Sequence, residues 1–389
     1  MKRPIFIRAL IAGAGAVALT LAGSATAGAL TAASTPGVYA SNADADTITY
    51  IDPSTNEVTV ISDGDWDEPR NPSANADGTK VAVPIRHSDQ VVIIDAATRE
   101  YVEYGIGFDE PYATTFVGDT VYVANKNADT VSVLNLADDT VVDVTDANTD
   151  IDGPEYIIAN ADGTKVYVIN RSSDSVSVID VATNAVVETI QVGSEPRSAV
   201  FSLDGSKLFV ANNNDETLSV ITIADSTEVS VDLDPTNAYS LSPRNIDIDS
   251  SGIVWIPAQS DYLVKYTPAL DMVDYVQLDV VESVSLYGIT VVDGTNFAYV
   301  TNESEGDVYV LDVTTSEWVL DGSDPLFILT DENYGSSTPR GITSIGVYTA
   351  PELANTGFDA SQGALIISGA TALVFGGIVL TVMRRRSHV

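Results

Sequence analysis

Apolar and polar residues alternate with a period of two along most of the chain. Between residues 161 and 193 three short runs follow one another: KVYVIN (Lys165–Asn170), SVSVID (Ser175–Asp180) and AVVETIQV (185–192). Each is rich in Val, Ile, Tyr or Thr and is bounded by turn residues, which predicts strands and not helices. A fourth run upstream, GPEYII (153–158), joins through the turn at 160–163 and completes four antiparallel strands in about forty residues. One such sheet cannot bury both of its faces, so copies of it are expected to stack.

The copies are present. A Pro opens the first strand at Pro69, Pro111, Pro154, Pro196 and Pro243, in steps of 42, 43, 42 and 47 residues, and a sixth copy without the Pro begins near Leu286. The first hairpin carries Asp-Gly or a relative at Asp77-Gly78, Asp162-Gly163, Asp204-Gly205, Ser251-Gly252 and Asp293-Gly294, residues that tolerate the positive φ of a tight turn. The second strand reads VYVAN at 121–125, VYVIN at 166–170, LFVAN at 208–212 and AYVTN at 298–302. These motifs, in register with their turns over 37–348, resemble the YVTN family of β-propeller repeats.

GVYASN (37–42), 47–52 and 57–61 match a second, third and fourth strand, and the missing first strand is found at 338–345. With the six internal copies this predicts an all-β, seven-bladed propeller of four-stranded antiparallel blades, closed by a C-terminal strand that completes the N-terminal blade. Longer links at 232–241, 277–285 and 321–337 all join a fourth strand to the next first strand and so share one face, where insertions usually mark binding.

The two ends read differently. Lys2, Arg3 and Arg8 precede an apolar run at 9–22 and the small-residue site Ala25-Thr26-Ala27, the pattern of a secretory signal peptide over 1–27. The apolar core is short for a membrane anchor. A linker of small residues follows at 28–36. At the other end, Leu353, Ala354, Asn355, Thr356 and Gly357 lie within a linker at 349–362, ahead of 21 uncharged residues at 363–383 and the basic tail 384–389. The uncharged stretch is long enough to form a membrane helix, and the Arg cluster marks its cytoplasmic side. This order resembles the cell-wall sorting signal of Gram-positive surface proteins, with Ala354 as in the form read by class E sortases of high-GC species. The resemblance implies a secreted protein with sortase as processing partner, cleavage after Thr356, covalent attachment to peptidoglycan, and membrane contact only through the precursor helix.

Composition narrows the chemistry. The formal charge is −37, and trimming both ends makes it more negative, since six basic residues leave and one acidic. Nucleic acid is thereby excluded as a partner. Cysteine is absent and histidine is limited to His87 and His388, so no Ser-His-Asp or Cys-His set can be assembled. His87 reads as an exposed turn residue without an orienting partner. The acidic runs at 63–68 and 138–152 match no calcium-loop template and read as solvated turns; no metal or cofactor is expected. Asp52, Asp95, Asp180 and Asp312 after the third strand read as Asx turns, and so do Asn42, Asn125, Asn170, Asn212 and Asn302 after the second.

One repeat position stands apart. The residue after the strand-opening Pro is Arg70, Arg197, Arg244 and Arg340 in four blades, and Tyr112, Glu155 and Tyr287 in the others. This predicts an arc of Arg with Tyr112 and Tyr287 at one channel mouth, suited to a carboxylate, phosphate or glycan, or else to locking blade against blade. The expected function is a non-enzymatic binding or adhesion module for an extracellular protein, glycan or anionic ligand. The alternatives are a propeller hydrolase of lactonase type, which similar propellers build around a metal in the channel, and a surface-layer component. The sorting signal predicts that Thr356→Ala abolishes covalent attachment and leaves the protein membrane-bound. Muramidase should release the wild type as a ladder of wall-linked species and the variant not at all.

Overall fold

The computed structural model describes residues 37–345, apart from 145–149, 237–238, 240, 279–283, 293, 322–323, 326 and 330–338. The expected leader, the sorting motif at 353–357 and the basic tail lie outside the described residues. So does the expected helix at 363–383, except for Val374–Phe375, which pairs with Ile378–Val379.

Seven antiparallel sheets follow one another, six of four strands and the seventh with one added short strand. Blade 1 combines 37–61 with 339–345; blades 2 to 7 span 73–104, 111–143, 154–191, 196–232, 247–277 and 286–329. Within each sheet the chain steps from one edge to the other. First strands of neighbouring blades lie against each other, which sets them around the axis and the fourth strands at the rim. The chain is an all-β seven-bladed propeller.

Burial follows from this stacking. Second and third strands such as Lys165–Asn170 and Ser175–Asp180 are covered on both faces, whereas the fourth strand Thr227–Asp232 lies largely open to solvent. A strand covered on both sides must be apolar nearly throughout, with Val, Ile and Tyr on the blade faces. The core is accordingly divided into seven apolar clusters, one in each seam between adjacent blades.

Two sets of polar bonds cross the seams in register. In the hairpin between second and third strands, Asp46, Asp89, Asp129 and Asp174 have positive φ. Each accepts, through Oδ1, the backbone N–H of the residue before the next blade's Pro: Glu68 (2.9 Å), Glu110 (2.9 Å), Gly153 (2.8 Å) and Glu195 (2.8 Å). Deeper in the seam, tyrosines of the second strand reach the following blade. Tyr122 donates to Asn184 Oδ1 (2.6 Å), Tyr299 to Asn56 Oδ1 (3.3 Å) and Tyr39 to the Ala96 carbonyl (3.5 Å).

Blades 2 and 6 are irregular, for one reason. Both carry Pro in the second strand, at Pro84 and Pro257, where the carbonyl accepts from the first strand (Arg70 and Arg244 N–H) but the ring nitrogen has no proton to return. Their first strands shrink to Ser73–Ala74 and Asp247–Ile248, and Pro69 and Pro243 make only isolated bridges. Blade 7 differs at its rim. Its outer edge is split between Glu317–Trp318 and Phe327–Leu329, both paired with the same third strand. Part of the link expected at 321–337 is therefore sheet.

Two expectations about turns part company. Asp52, Asp95, Asp180 and Asp312 do accept turn N–H groups. The Asn set divides: Asn302 forms the expected turn, its Oδ1 accepting the Ser304 N–H (3.2 Å), whereas Asn42, Asn125, Asn170 and Asn212 are buried, and each Nδ2 of these four donates to two hydroxyls of the third strand, as Asn170 does to Ser175 (3.2 Å) and Ser177 (2.8 Å). These amides tie strands together and form no Asx turn.

The ring closes where Pro339–Ile345 pairs with Gly37–Asn42. A Cβ on Gly341 would come within 2.7 Å of Pro72 and 2.8 Å of the Asn71 backbone, so blades 1 and 2 meet there only because the residue is glycine. Gly341→Ala is expected to lower the melting temperature by several degrees. Truncation before Pro339 uncovers the seam on both sides of blade 1 and removes Ile342 and Ile345, worth about 3–6 kcal/mol of burial together. Loss of a single cooperative calorimetric transition, with aggregation through the freed edges, is the expected readout; a truncated chain that melts like the intact one would refute closure by this strand.

Candidate functional site

Each repeat delivers three positions to the same end of the channel: the residue before the strand-opening Pro, the residue after it, and the residue following the second strand. The Asp bonds described above hold the first of these in the left-handed region, with φ of 63° at Glu68, 47° at Glu110 and 52° at Glu195. That conformation is uncommon for a side chain of this size. It aims three carboxylates at the cations of the other two positions.

The result is a network of ion pairs around the mouth. Glu68 meets Arg70, Arg86 (3.0 Å) and Arg340 (3.6 Å), and Glu110 meets Arg86 (2.7 Å). Glu155, 2% exposed, meets Lys126, Arg197 (2.7 Å) and Arg171 (3.6 Å). Glu195 meets Arg171 (2.8 Å) and Arg197 (3.1 Å), and Glu303 meets Arg340 (3.6 Å). With Arg244 added, seven cations face five carboxylates in a chain that is otherwise strongly acidic.

Titration follows that excess. Burial alone would raise the Glu155 pKa, but Arg197 and Lys126 outweigh it and hold the carboxyl below the usual glutamate range. Hydrogen bonds from Arg86 and Arg171 do the same for Glu110 and Glu195. Lys126 is pulled below the ordinary lysine range by burial and by Arg86 and Arg171, against the attraction of Glu155.

All six residues of the predicted arc reach this mouth, but not as free ligand groups. Arg70, Arg197 and Arg340 are spent on carboxylates. Tyr112 is 6% exposed, with Arg70 at 5.0 Å and Lys126 at 4.6 Å from its ring centroid, which leaves no face for a sugar. Arg244 differs. Its Nε (3.1 Å) and Nη2 (2.5 Å) both donate to the amide oxygen of Gln259, whose Nε2 donates to Glu303 (2.6 Å), and its guanidinium lies 5.7 Å from the Tyr287 ring. A neutral amide stands there in place of a carboxylate.

Reading the post-Pro position alone missed Arg86, Lys126, Arg171, Gln259 and Glu303. They follow the second strand at a fixed place, directly after VYVAN and its relatives, and that register was the signal for them. His87 also differs from expectation. It lies in the predicted turn, yet Nδ1 is 3.3 Å from Asp67 Oδ1 and Nε2 is 3.1 Å from Glu68 Oε2, so carboxylates orient it on both sides.

Below the mouth the channel is plugged. Asn71 of blade 2 donates across the axis to the Glu155 carbonyl of blade 4 (3.4 Å). The recess among Asn71, Tyr112, Glu155, Arg197, Arg244, Asn245 and Tyr287 has room for roughly a single water molecule. The donor set does not suit a metal ion: the floor is Arg, Tyr and Asn, its carboxylate is taken by three cations, and among the described residues no group of three or more His, Cys, Asp or Glu could hold one.

Removing the Glu155 charge leaves three cations around a neutral amide. Glu155→Gln is expected to cost about 3–5 kcal/mol, read as a fall in melting temperature at neutral pH. Because the folded-state pKa is lowered, the stabilisation from this group is complete above the ordinary glutamate range and fades as the pH falls through and below it. The difference in melting temperature between wild type and Glu155→Gln should therefore shrink in acid; a difference that stays constant down to pH 3 would refute this account.

A profile of the YNCE-like β-propeller family matches residues 69–207. Comparison with curated proteins finds no match. Among solved structures, the periplasmic gluconolactonase PpgL of Pseudomonas aeruginosa is 14% identical, with a TM-score of 0.62 over 80% of this chain and 99% of its own. A catalytically inactive virginiamycin B lyase from Staphylococcus aureus with quinupristin is 14% identical, with a TM-score of 0.59 over 70% and 94%. A candidate 6-phosphogluconolactonase from Bacteroides fragilis is 15% identical, with a TM-score of 0.59 over 81% and 99%. Identity this low speaks for fold alone. It nonetheless corrects the expectation of a propeller without enzymatic activity: structures that share the ring over nearly their whole length carry the names of enzymes, so scarcity of histidine is no ground for excluding catalysis from it. The chain is a β-propeller repeat protein.

Proposed function

We propose that the channel mouth takes a small anionic sugar derivative of the sugar-lactone and hydroxy-acid class, and that the propeller hydrolyses the lactone there. The observation that carries this reading is Arg244, a guanidinium paired with an amide among neighbours paired with carboxylates. An incoming carboxylate or phosphate can replace Gln259 as its acceptor without breaking an ion pair. The surplus of cations over carboxylates favours an added anion in the same way. The names of the gluconolactonase and the candidate 6-phosphogluconolactonase among the structural neighbours support the substrate class.

Hydrolysis adds water to the ester carbonyl and breaks the ring C–O bond. Arg244 is placed to stabilise the oxyanion that forms, and then the product carboxylate. Glu303, two hydrogen bonds away through Gln259, is the carboxylate of this sector; it takes the proton of the attacking water and returns it to the ring oxygen as the C–O bond breaks. We propose in addition that this occurs at the cell surface, after export through the leader and attachment at Thr356. The order of motif, apolar stretch and Arg cluster supports that placement.

The test is acid release from glucono-δ-lactone and 6-phosphogluconolactone, followed in a pH-stat. Release above the spontaneous rate is expected, with Arg244→Ala and Glu303→Gln each lowering kcat/KM at least about tenfold, near 1.4 kcal/mol, at a temperature where calorimetry shows both variants folded. Spontaneous rates with every lactone tried, or full activity in both variants, would sink the proposal.

A further inference from the structure

Repetition gives this molecule an internal standard, and blade 6 departs from it along one seam. The residue that opens the third strand is Thr47, Gln90, Thr130, Ser175, Thr217 or Asp307 in the other blades, and Tyr262 here. The fourth-strand residue opposite the third position of the third strand is Val60, Glu103, Asp143, Thr189 and Ser230 in blades 1 to 5, and Tyr275 here. A third tyrosine, Tyr239, comes from the long link that enters this blade.

The three rings form one cluster. Tyr239 lies 4.4 Å from Tyr275 and 4.6 Å from Tyr262 between centroids, and Tyr262 lies 6.4 Å from Tyr275. Tyr275 is pinned by its hydroxyl, which donates to the Leu233 carbonyl at 2.6 Å. All three stay partly open to solvent while packing on the apolar cluster between blades 5 and 6. Tyr262 comes three residues after Gln259, the partner of Arg244, at the end of the same turn. On the blade 5 side, Asn213 donates to the Pro243 carbonyl beside Arg244 (3.1 Å). The seam between blades 5 and 6 therefore runs from a guanidinium at the channel to tyrosines farther out, on the mouth face, with Gln259, Ser260 and Asp261 between.

We infer that this seam is an extended glycan track, and that the anionic sugar held at the mouth can be the terminal unit of an oligosaccharide. The charged end sits at Arg244 and further sugar rings lie on the tyrosines. Tyr faces offer rigid, amphipathic contact area at small entropy cost, which suits the apolar face of a pyranose ring. A channel floor too small for a sugar fits a ligand laid along the face and not threaded into the channel. Only the inner end of the track rests on the function proposed above.

Titration calorimetry of the full-length protein tests it, with gluconic acid and the aldonic acids of cello-oligosaccharides from dimer to hexamer, each with one terminal carboxylate, as acidic probes and cello-oligosaccharides of the same lengths as neutral ones. Affinity for the acidic series should rise about tenfold from monomer to hexamer. Tyr239→Ser with Tyr262→Ser should flatten that rise while monomer affinity stays, Tyr262→Phe should preserve it, and Arg244→Gln should weaken every acidic member about equally. Melting temperatures of the variants are compared, and the Tyr262→Phe protein serves as the folded control. Affinity indifferent to chain length, or a rise unchanged in the double Tyr variant or lost in Tyr262→Phe, would overturn the track. A Tyr-dependent rise with the neutral series, without binding of the acidic monomer, would uphold the track and overturn the anion site; binding of the acidic monomer without any rise would do the reverse.

Discussion

The bond from a hairpin Asp to the backbone N–H before the next blade's Pro organises both the ring and its mouth. It fixes the spacing of adjacent blades at the axis. It also holds Glu68, Glu110 and Glu195 in a backbone conformation they would not choose. Without that constraint the three carboxylates would turn towards solvent, Arg86 would lose both of its partners, and Arg171 and Arg197 would keep only Glu155. Blade registry and mouth electrostatics are thus one device.

The device lapses where the repeat is least regular. Glu216 takes the left-handed position in blade 5, and Ser242 precedes Pro243. The second-strand Pro257 shortens the first strand of blade 6. That same blade has an amide opposite its Arg and three tyrosines in its seam. Blade 2, irregular for the same reason, still pairs its Arg residues with carboxylates; blade 6 pairs its Arg with an amide and adds aromatic rings at its seam. In a repeat protein, departure from the repeat is the physical mark of a site, because symmetric features are already accounted for by packing.

Much of this was legible in the sequence. Strands 165–170 and 175–180 announce themselves because burial on both faces demands unbroken Val, Ile and Tyr. Closure was legible because three strands lacked a first and a lone first strand lay 300 residues on. The arc of Arg70, Arg197, Arg244 and Arg340 was legible as a position, but its state was not. Whether an Arg is free depends on Glu155 or Glu195 arriving from another blade, and on Glu adopting a positive φ, which residue type alone argues against. The buried amides of Asn125 and Asn170 were misread as turn formers since Asn serves both roles, and only the hydroxyls at i+5 and i+7 on the facing strand distinguish them.

The closing strand has a kinetic consequence. Gly37 and Ile345, which pair in blade 1, are the partners farthest apart in sequence among the described residues. As the chain is made, blades 2 to 6 can each assemble from contiguous residues soon after they appear. The three strands at 37–61 cannot; they must wait with an open edge until almost everything else exists. Entropy adds little to that delay, since the cost of closing a loop grows only with the logarithm of its length. The hazard is time, during which strand 37–42 offers its unpaired backbone to any other chain. Folding of this propeller therefore ends at the residue where its sequence begins.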